Sequence, residues 1–340
     1  MSTAKDLNIL QIGSDYTYSS QIIGSKCLYV GDYSLMGVAA KINSAKIYRY
    51  NSVEGLSALM TLKSNSEQMI QFLDITINPR IDELEDDQLS IGIACSDGYI
   101  RFWTKKIQDP GRKQIYSKHL IDKSRVNKLG ITISGTKMIS VTNSGKIVMT
   151  DLIKLSNSLI MDSHQDSLSS MALHDNEYLV AVGEQSGYIV LWDCRSGRYI
   201  CDFNNFNNGT NYNILKDKNI RNRHSDRVNS LNFSSDGSLL CSSSDDSNTF
   251  IWDLRKQTLV KKLFTGTDRC IYSIFAKSSY EVQTVSSNSE INLCNWYTGE
   301  IKNTCQIKKA NATTFGFFDQ NNKCLLGYKD RVVDFFSLNN

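Results

Sequence analysis

The side chains able to do acid, base or nucleophilic chemistry are few and scattered. Four histidines occur, His119, His164, His174 and His224, together with nine cysteines that form no C-x-x-C pair. A metallohydrolase would place two histidines one helical turn apart around a glutamate, and a serine hydrolase would set its nucleophile on a G-x-S-x-G elbow. Neither pattern is present; "GEQSG" (183–187) has the wrong spacing and falls in a turn between two strand patterns. No Gly-rich loop runs into a helix to cradle a phosphate. Asp97, Asp193, Asp246 and Asp253 each sit at a polar turn beside an apolar run, so they read as turn residues ahead of a paired-carboxylate site. Cys95 and Cys241 lie inside apolar alternation, where a free thiol behaves as a small hydrophobe. No catalytic residue, metal set or cofactor is assigned, the chain is read as no enzyme, and no small-molecule substrate is expected.

Composition agrees with a soluble protein. Of 340 residues 41% are hydrophobic and 21% charged, and the net charge of +3 demands neither nucleic acid nor a membrane as partner. The opening "MSTAKDLNILQIGSDYTYSS" lacks the basic start and apolar run of a signal peptide. No apolar run reaches the ~18 residues of a membrane span. An odd, dispersed cysteine set points to a reduced compartment, cytoplasmic or nuclear, which leaves the Asn-x-Ser/Thr triplets at Asn208, Asn232 and Asn311 idle.

The elements that must position these residues are strands. The segments "SAKIYRYNS" (44–52), "SDGYIRFWTKK" (96–106), "NSGKIVMTDL" (143–152), "QSGYIVLWDC" (185–194), "DDSNTFIWDL" (245–254), "SNSEINLCNW" (287–296) and "YKDRVVDFFSL" (328–338) each open on a polar turn and then alternate with period two. Their strand-end positions, Tyr50, Trp103, Thr150, Trp192, Trp252, Cys294 and Phe335, recur mostly every 41 to 53 residues. "RVNSLNFSSDGSLLCSSSDDSNTFIWDL" reads as three strands, 228–233, 238–243 and 248–254, with a weaker fourth in "TLVKKLF". A strand-only repeat of this length predicts an all-β, seven-bladed β-propeller of four-stranded antiparallel blades. The whole chain, 1–340, forms a single such domain in this reading. The strand 7–13 completes the last blade and closes the ring, and 201–222 is an insertion between blades 4 and 5.

The sequence resembles the WD-repeat proteins, the family of the G-protein β subunit. Residues 224–264 carry it best: His224 takes the usual Gly-His place, and Asp246 lies six residues before Trp252. The resemblance implies a buried hydrogen-bond chain of that His, a Ser or Thr of the second strand, the turn Asp and the Trp, with Trp103, Trp192 and Trp252 as blade anchors. Thr150, Cys294 and the final Phe replace Trp elsewhere, and Ser144 and Asn288 replace the turn Asp. It further implies a non-catalytic scaffold that binds other protein subunits of a larger complex, chiefly through the face built from loops leading into first strands and from second-to-third-strand turns.

Several residues of that lead-in face are candidates for partner contact. Arg125, Arg227 and Arg269 precede first strands, beside Asp166, Asp226 and Asp268. Residues 104–128 hold eight Lys/Arg against two Asp, and residues 216–227, with Lys216, Lys218, Arg221 and Arg223, hold five against two. Both stretches are expected to link an outer strand to the next first strand, which would place them on this face and offer RNA or another anionic ligand a basic surface. The acidic run "IDELEDD" (81–87) is expected on the opposite face. Finally, "LWDCR" and "IWDLR" resemble the Trp-Asp-x-Arg boxes of propellers that act as substrate receptors of cullin-type ubiquitin ligases. That alternative makes Arg195 and Arg255 adaptor contacts.

Overall fold

A computed structural model of the chain describes residues 5–6, 8–15, 18, 20–30, 33–42, 44–63, 70–78, 88–106, 115–162, 166–203, 223–264, 268–276, 280–307, 311–318 and 323–339. The alternation read from the sequence becomes seven sheets in a ring, each antiparallel through its four blade strands. Blade 5 is Val228–Phe233, Leu239–Ser244, Asn248–Asp253 and Thr258–Phe264, and the other blades repeat its plan. First strands neighbour one another around the ring, and that of blade 7 (Ala312–Phe318) lies beside that of blade 1 (Ile22–Val30).

The ring closes with the N-terminal strand. Asn8–Asp15 pairs antiparallel with Val333–Asn339, so Asn8 lies opposite Asn339 and Asp15 opposite Val333. This removes an open sheet edge from blade 7. The closure is fastened to blade 1 by polar side chains: Asp15 accepts from Lys46 Nζ and from the Tyr48 hydroxyl, both at 2.7 Å, and Tyr48 in turn bonds Tyr18 at 2.8 Å. One strand was not foreseen. Lys5–Asp6 runs parallel to Glu300–Gln306 as a fifth, outermost strand of blade 6.

The core is a set of seven seams, one at each junction between blades. The seam of blades 4 and 5 packs Leu191, Phe203, Leu231, Leu240 and Trp252, and that of blades 1 and 2 packs Leu35, Ile47, Phe72, Ile93 and Trp103. A bulge at the second residue of every first strand adds a polar stitch. At four junctions that residue donates to the carbonyl opening the next blade: Asn127 to Leu168 (2.7 Å), Ser169 to Val228 (2.7 Å), Asn229 to Cys270 (3.0 Å) and Thr313 to Ile22 (2.7 Å). The extra residue of the bulge turns its side chain toward the neighbouring blade, satisfying a carbonyl that the interior would otherwise leave unpaired.

Two strand-end assignments move. A second bulge falls beside the Trp position, after Ile251 in blade 5 and after Ile47 in blade 1. The blade 1 counterpart of Trp252 is therefore Tyr48, opposite Met36, and not Tyr50. In blade 7 it is Phe336, opposite Cys324, one residue beyond Phe335. The extra residue of that bulge lies on the fourth strand, Leu59 in blade 1 and Ile12 in blade 7, so the third strand keeps its alternation and gives no sign of which of its apolar residues the bulge faces.

Candidate functional site

Blade 5 shows what holds the lead-in face rigid. His224, with no exposed surface, bonds Asp246 through Nδ1 at 3.0 Å and Ser242 Oγ through Nε2 at 2.8 Å. Trp252 Nε1 donates to the same Ser242 oxygen at 2.9 Å. With a proton on Nδ1 the imidazole donates to Asp246, its Nε2 faces Ser242 Oγ, and that oxygen accepts from Trp252, so every member of the chain is partnered. Burial would raise the Asp246 carboxyl, but the His224 hydrogen bond and charge outweigh it and hold it below its ordinary range. The imidazole stacks on Phe250 at 4.0 Å. Gly187, at φ 90°, lets this loop sit against the blade 4 turn, since a Cβ there would strike the His224 carbonyl oxygen.

Other blades solve the same problem with different residues. In blade 3 the roles are exchanged: the loop supplies the acceptor, Asp122, and the turn supplies the donors, Ser144 Oγ at 2.6 Å and Lys146 Nζ at 3.2 Å. Burial again opposes ionisation, yet the Ser144 and Ser124 hydroxyls keep Asp122 well below the usual carboxylate range. In blade 2 the turn Asp97 receives both terminal nitrogens of Arg101, at 2.9 and 2.7 Å. Arg101 occupies the step held by Phe250 in blade 5 and is 3% exposed. In blade 4, Val182 stands where Ser242 does, and the Trp192 Nε1 hydrogen has no acceptor among the described residues; His164 lies outside them.

On this frame the predicted arginines occupy one repeated step. The carbonyls of Arg125, Arg227 and Arg269 accept from Asn143 (2.9 Å), Asp245 (3.0 Å) and Ser287 (2.8 Å), which fixes each backbone at the rim of its blade. All three side chains are exposed, and none forms an ion pair with a described residue. The neighbouring carboxylates bond backbone amides: Asp226, itself exposed, accepts from the Arg227 amide at 2.7 Å, and Asp166 from the Ser186 amide at 2.9 Å. Asp268 is half-buried. Arg223 is exposed and lies over the Tyr188 ring at 4.7 Å. Lys216, Lys218 and Arg221, with most of the insertion 201–222 and all of the acidic run 81–87, lie outside the described residues.

The basic stretch 104–128 does not form one patch. Ile115–Leu120 pairs with Tyr99–Thr104 and is the fourth strand of blade 2, not part of a loop leading into blade 3, and 107–114 lie outside the described residues. Only the residues around Asp122–Arg125 reach the lead-in face. The error came from reading "IYSKHL" as connection, because its lysine and histidine mask a half-exposed strand.

Arg195 and Arg255 stand on the opposite face, at a step whose geometry the sequence did not disclose. Asp193 Oδ1 accepts from the amides of Arg195 (2.7 Å) and Ser196 (3.2 Å), and Asp253 Oδ1 does the same for Arg255 and Lys256, both at 2.9 Å. Burial would raise Asp193, but these amides and the Arg195 charge hold it below its ordinary value. Asn51, Asp151 and Asn295 build the same Asx turn in blades 1, 3 and 6. There the projected residues are Val53, 91% exposed, Ile153, 79%, and Tyr297, 71%.

Burial pushes the thiols of Cys95, Cys194, Cys201, Cys241 and Cys294 up to about 12, so they stay protonated at neutral pH. Among the described residues no three His, Cys, Asp or Glu side chains cluster as metal ligands, and no helix is long and apolar enough to cross a membrane.

No curated protein matches the chain. Residues 137–336 match a family described as "Nucleolar protein 10-like, N-terminal domain", a β-propeller. The match spans more than half of the 340 residues, from the second strand of blade 3 to the third strand of blade 7. With a seven-bladed WD-type propeller and a buried Asp–His–Ser–Trp chain in blade 5, the chain belongs to the nucleolar protein 10-like N-terminal β-propeller family.

Proposed function

We propose that this propeller is a non-catalytic docking subunit of a nuclear protein assembly, and that the family's name points to the nucleolus as its place. Of the two compartments left open by the cysteines, the family description favours the nucleus. The observation that carries the docking role is the repeated rim step of the lead-in face. Arg125, Arg227 and Arg269 are exposed guanidinium groups on backbones fixed by neighbouring turns, without ion pairs to described residues. Fixed arginines present planar donors to carboxylates of a partner and lose little freedom on binding. Their context is a rigid ring with no assembled catalytic group among the described residues.

The test is affinity purification of the full chain with mass spectrometry, alongside fluorescence localisation. Wild-type protein is expected to recover a reproducible set of nuclear proteins, and Arg125→Glu with Arg227→Glu and Arg269→Glu to lose at least one of them. Recovery of no specific protein, or an unchanged set from the triple variant, refutes the role assigned to this face. Recovery of RNA that resists nuclease and disappears in the triple variant would replace the protein-docking reading with nucleic-acid binding.

A further inference from the structure

The arginine of the Trp-Asp-x-Arg boxes belongs to a recurrent display position. In blades 3 to 6 an Asx turn after the third strand fixes two amides, and in blade 1 it fixes one; each projects the next residue but one outward. Going around blades 3 to 6, the projected residues are Ile153, Arg195, Arg255 and Tyr297. The same turns are tied to the first-to-second-strand turns of their own blades, as Leu152 N donates to Thr136 O at 2.9 Å and Trp296 N to Tyr280 O at 3.1 Å. Those neighbouring turns expose Ile133, 57%, in blade 3 and Tyr280, 60%, in blade 6. The face is continuous between blades: the Ser134 amide donates to Glu177, His174 bonds the Gly237 carbonyl at 3.2 Å, and Lys261 Nζ reaches the Tyr297 carbonyl at 3.3 Å.

The arc therefore has apolar ends and a cationic middle. Arg255 forms no ion pair with a described residue, and Arg195, 68% exposed at its side chain, pairs with Asp193 of its own turn at 3.3 Å and lies over the Tyr178 ring at 5.1 Å. Lys154, Arg198 and Lys256 add positive charge along the same turns. Of the acidic side chains nearby, three are engaged within the face, Glu177 by the Ser134 amide, Asp236 by Ser234 and Ser238, and Glu281 by Lys302, while Asp175 and Glu300 are exposed. Exposed apolar tips flanking cations with unused donors have the anatomy of a docking strip, with anchors at the ends and charge that sets polarity.

We propose that the face opposite the lead-in loops docks an acidic, apolar segment of a protein partner, with its carboxylates on Arg195 and Arg255 and its apolar side chains on Ile153 with Ile133 and on Tyr297 with Tyr280. This rests on the docking role proposed above and adds a second surface to it. All six side chains are exposed; Tyr280 and Tyr297 also pack on Trp296 of the seam of blades 5 and 6, so each variant is first shown to keep the wild-type melting transition.

The test is selection of a random 16-residue peptide library by mRNA display on the purified full chain. Wild-type protein is expected to enrich peptides of net negative charge that carry aliphatic or aromatic residues, bound at least tenfold more weakly when salt is raised from 50 to 300 mM, on the order expected for exposed charge pairs. Ile153→Ser with Tyr297→Ser is expected to lose these peptides at least tenfold, and Arg195→Glu with Arg255→Glu to enrich net-positive peptides instead. The same peptides on all three proteins, a neutral or basic set on the wild type, or no enrichment at all overturns the proposal. A wild-type dimer in sedimentation that Ile153→Ser with Tyr297→Ser dissolves overturns it in favour of a second copy of this chain. RNA binding that disappears only in the arginine variant overturns it in favour of nucleic acid. Failure here with specific proteins still recovered by affinity purification sinks this face alone, whereas recovery of none sinks the docking role itself.

Discussion

Replacing His224 by alanine tests the polar chain that holds blade 5 in shape. The imidazole is fully buried and bonds Asp246 at 3.0 Å and Ser242 at 2.8 Å. Its loss removes a hydrogen bond to a charged group and leaves a buried carboxylate short of its partner, together costing about 3 kcal/mol. Unfolding entropy of about 2.1 cal/mol/K per residue makes that a fall in Tm of about 4 °C for a unit of this size. The cost also depends on pH with a definite sign. Asp246 titrates below its ordinary value in the folded state, so it stabilises above the unfolded value and loses that contribution as pH falls through the folded one. The Tm gap between wild type and His224→Ala is thus expected to be constant above about pH 5 and to narrow below about pH 4, where a free aspartate protonates. The assay is differential scanning fluorimetry across pH 3 to 8, with Asp246→Asn and the double variant completing a cycle. A fall below about 1 °C, a gap independent of pH, or additive single effects would show that the chain is a spectator.

Four further outcomes follow from described contacts. Trp252→Phe deprives Ser242 of its donor whereas Trp192→Phe removes a hydrogen without an acceptor among the described residues, so urea denaturation should find the first costlier by about 1 kcal/mol. Asn229→Leu cuts the stitch to the Cys270 carbonyl and should cost about 1 to 2 kcal/mol, with faster amide exchange at the junction of blades 5 and 6. Arg101→Met strands Asp97 and should destabilise by about 3 kcal/mol, while Arg101→Met with Asp97→Leu regains most of it in thermal melts. Thiol titration with a disulfide reagent at pH 8 should leave the seven buried cysteines unreacted in native protein, and all nine reactive in guanidinium.

Much of the fold was legible because a propeller repeats its signal. Seven alternating segments at regular spacing gave the strand type, the blade count and the closing strand, and "IWDLR" with His224 and Asp246 led to the buried chain. What stayed hidden belongs to irregular geometry. The bulges that mark Tyr48 and Phe336, not Tyr50 and Phe335, as the Trp step lie on the fourth strand and leave no mark in the third. Arg101 looked like one more charged strand residue, yet it is the buried partner of Asp97 because blade 2 has no histidine chain to supply one. The display turns were partly visible as Asp193 and Asp253, but their counterparts Asn51, Asp151 and Asn295 lack the Trp-Asp signature. The exposure of Val53, Ile153 and Tyr297 therefore had no flag. The stitches at Asn127, Ser169, Asn229 and Thr313 did leave one: a small polar residue at the second step of a first strand.

The closing strand also sets a timetable. Blades 1 to 6 build their four main strands from hairpins close in sequence, whereas Asn8 must wait for Asn339. A ribosome therefore releases most of the ring before its lock exists. During that interval Asn8–Asp15 and the third strand of blade 7 are loose partners with unpaired edges, and any strand-like segment nearby competes for them. An unclosed ring lacks the fixed spacing between blades on which both faces depend, so the pairing of Asn8–Asp15 with Val333–Asn339 is the step that gives each face its final geometry.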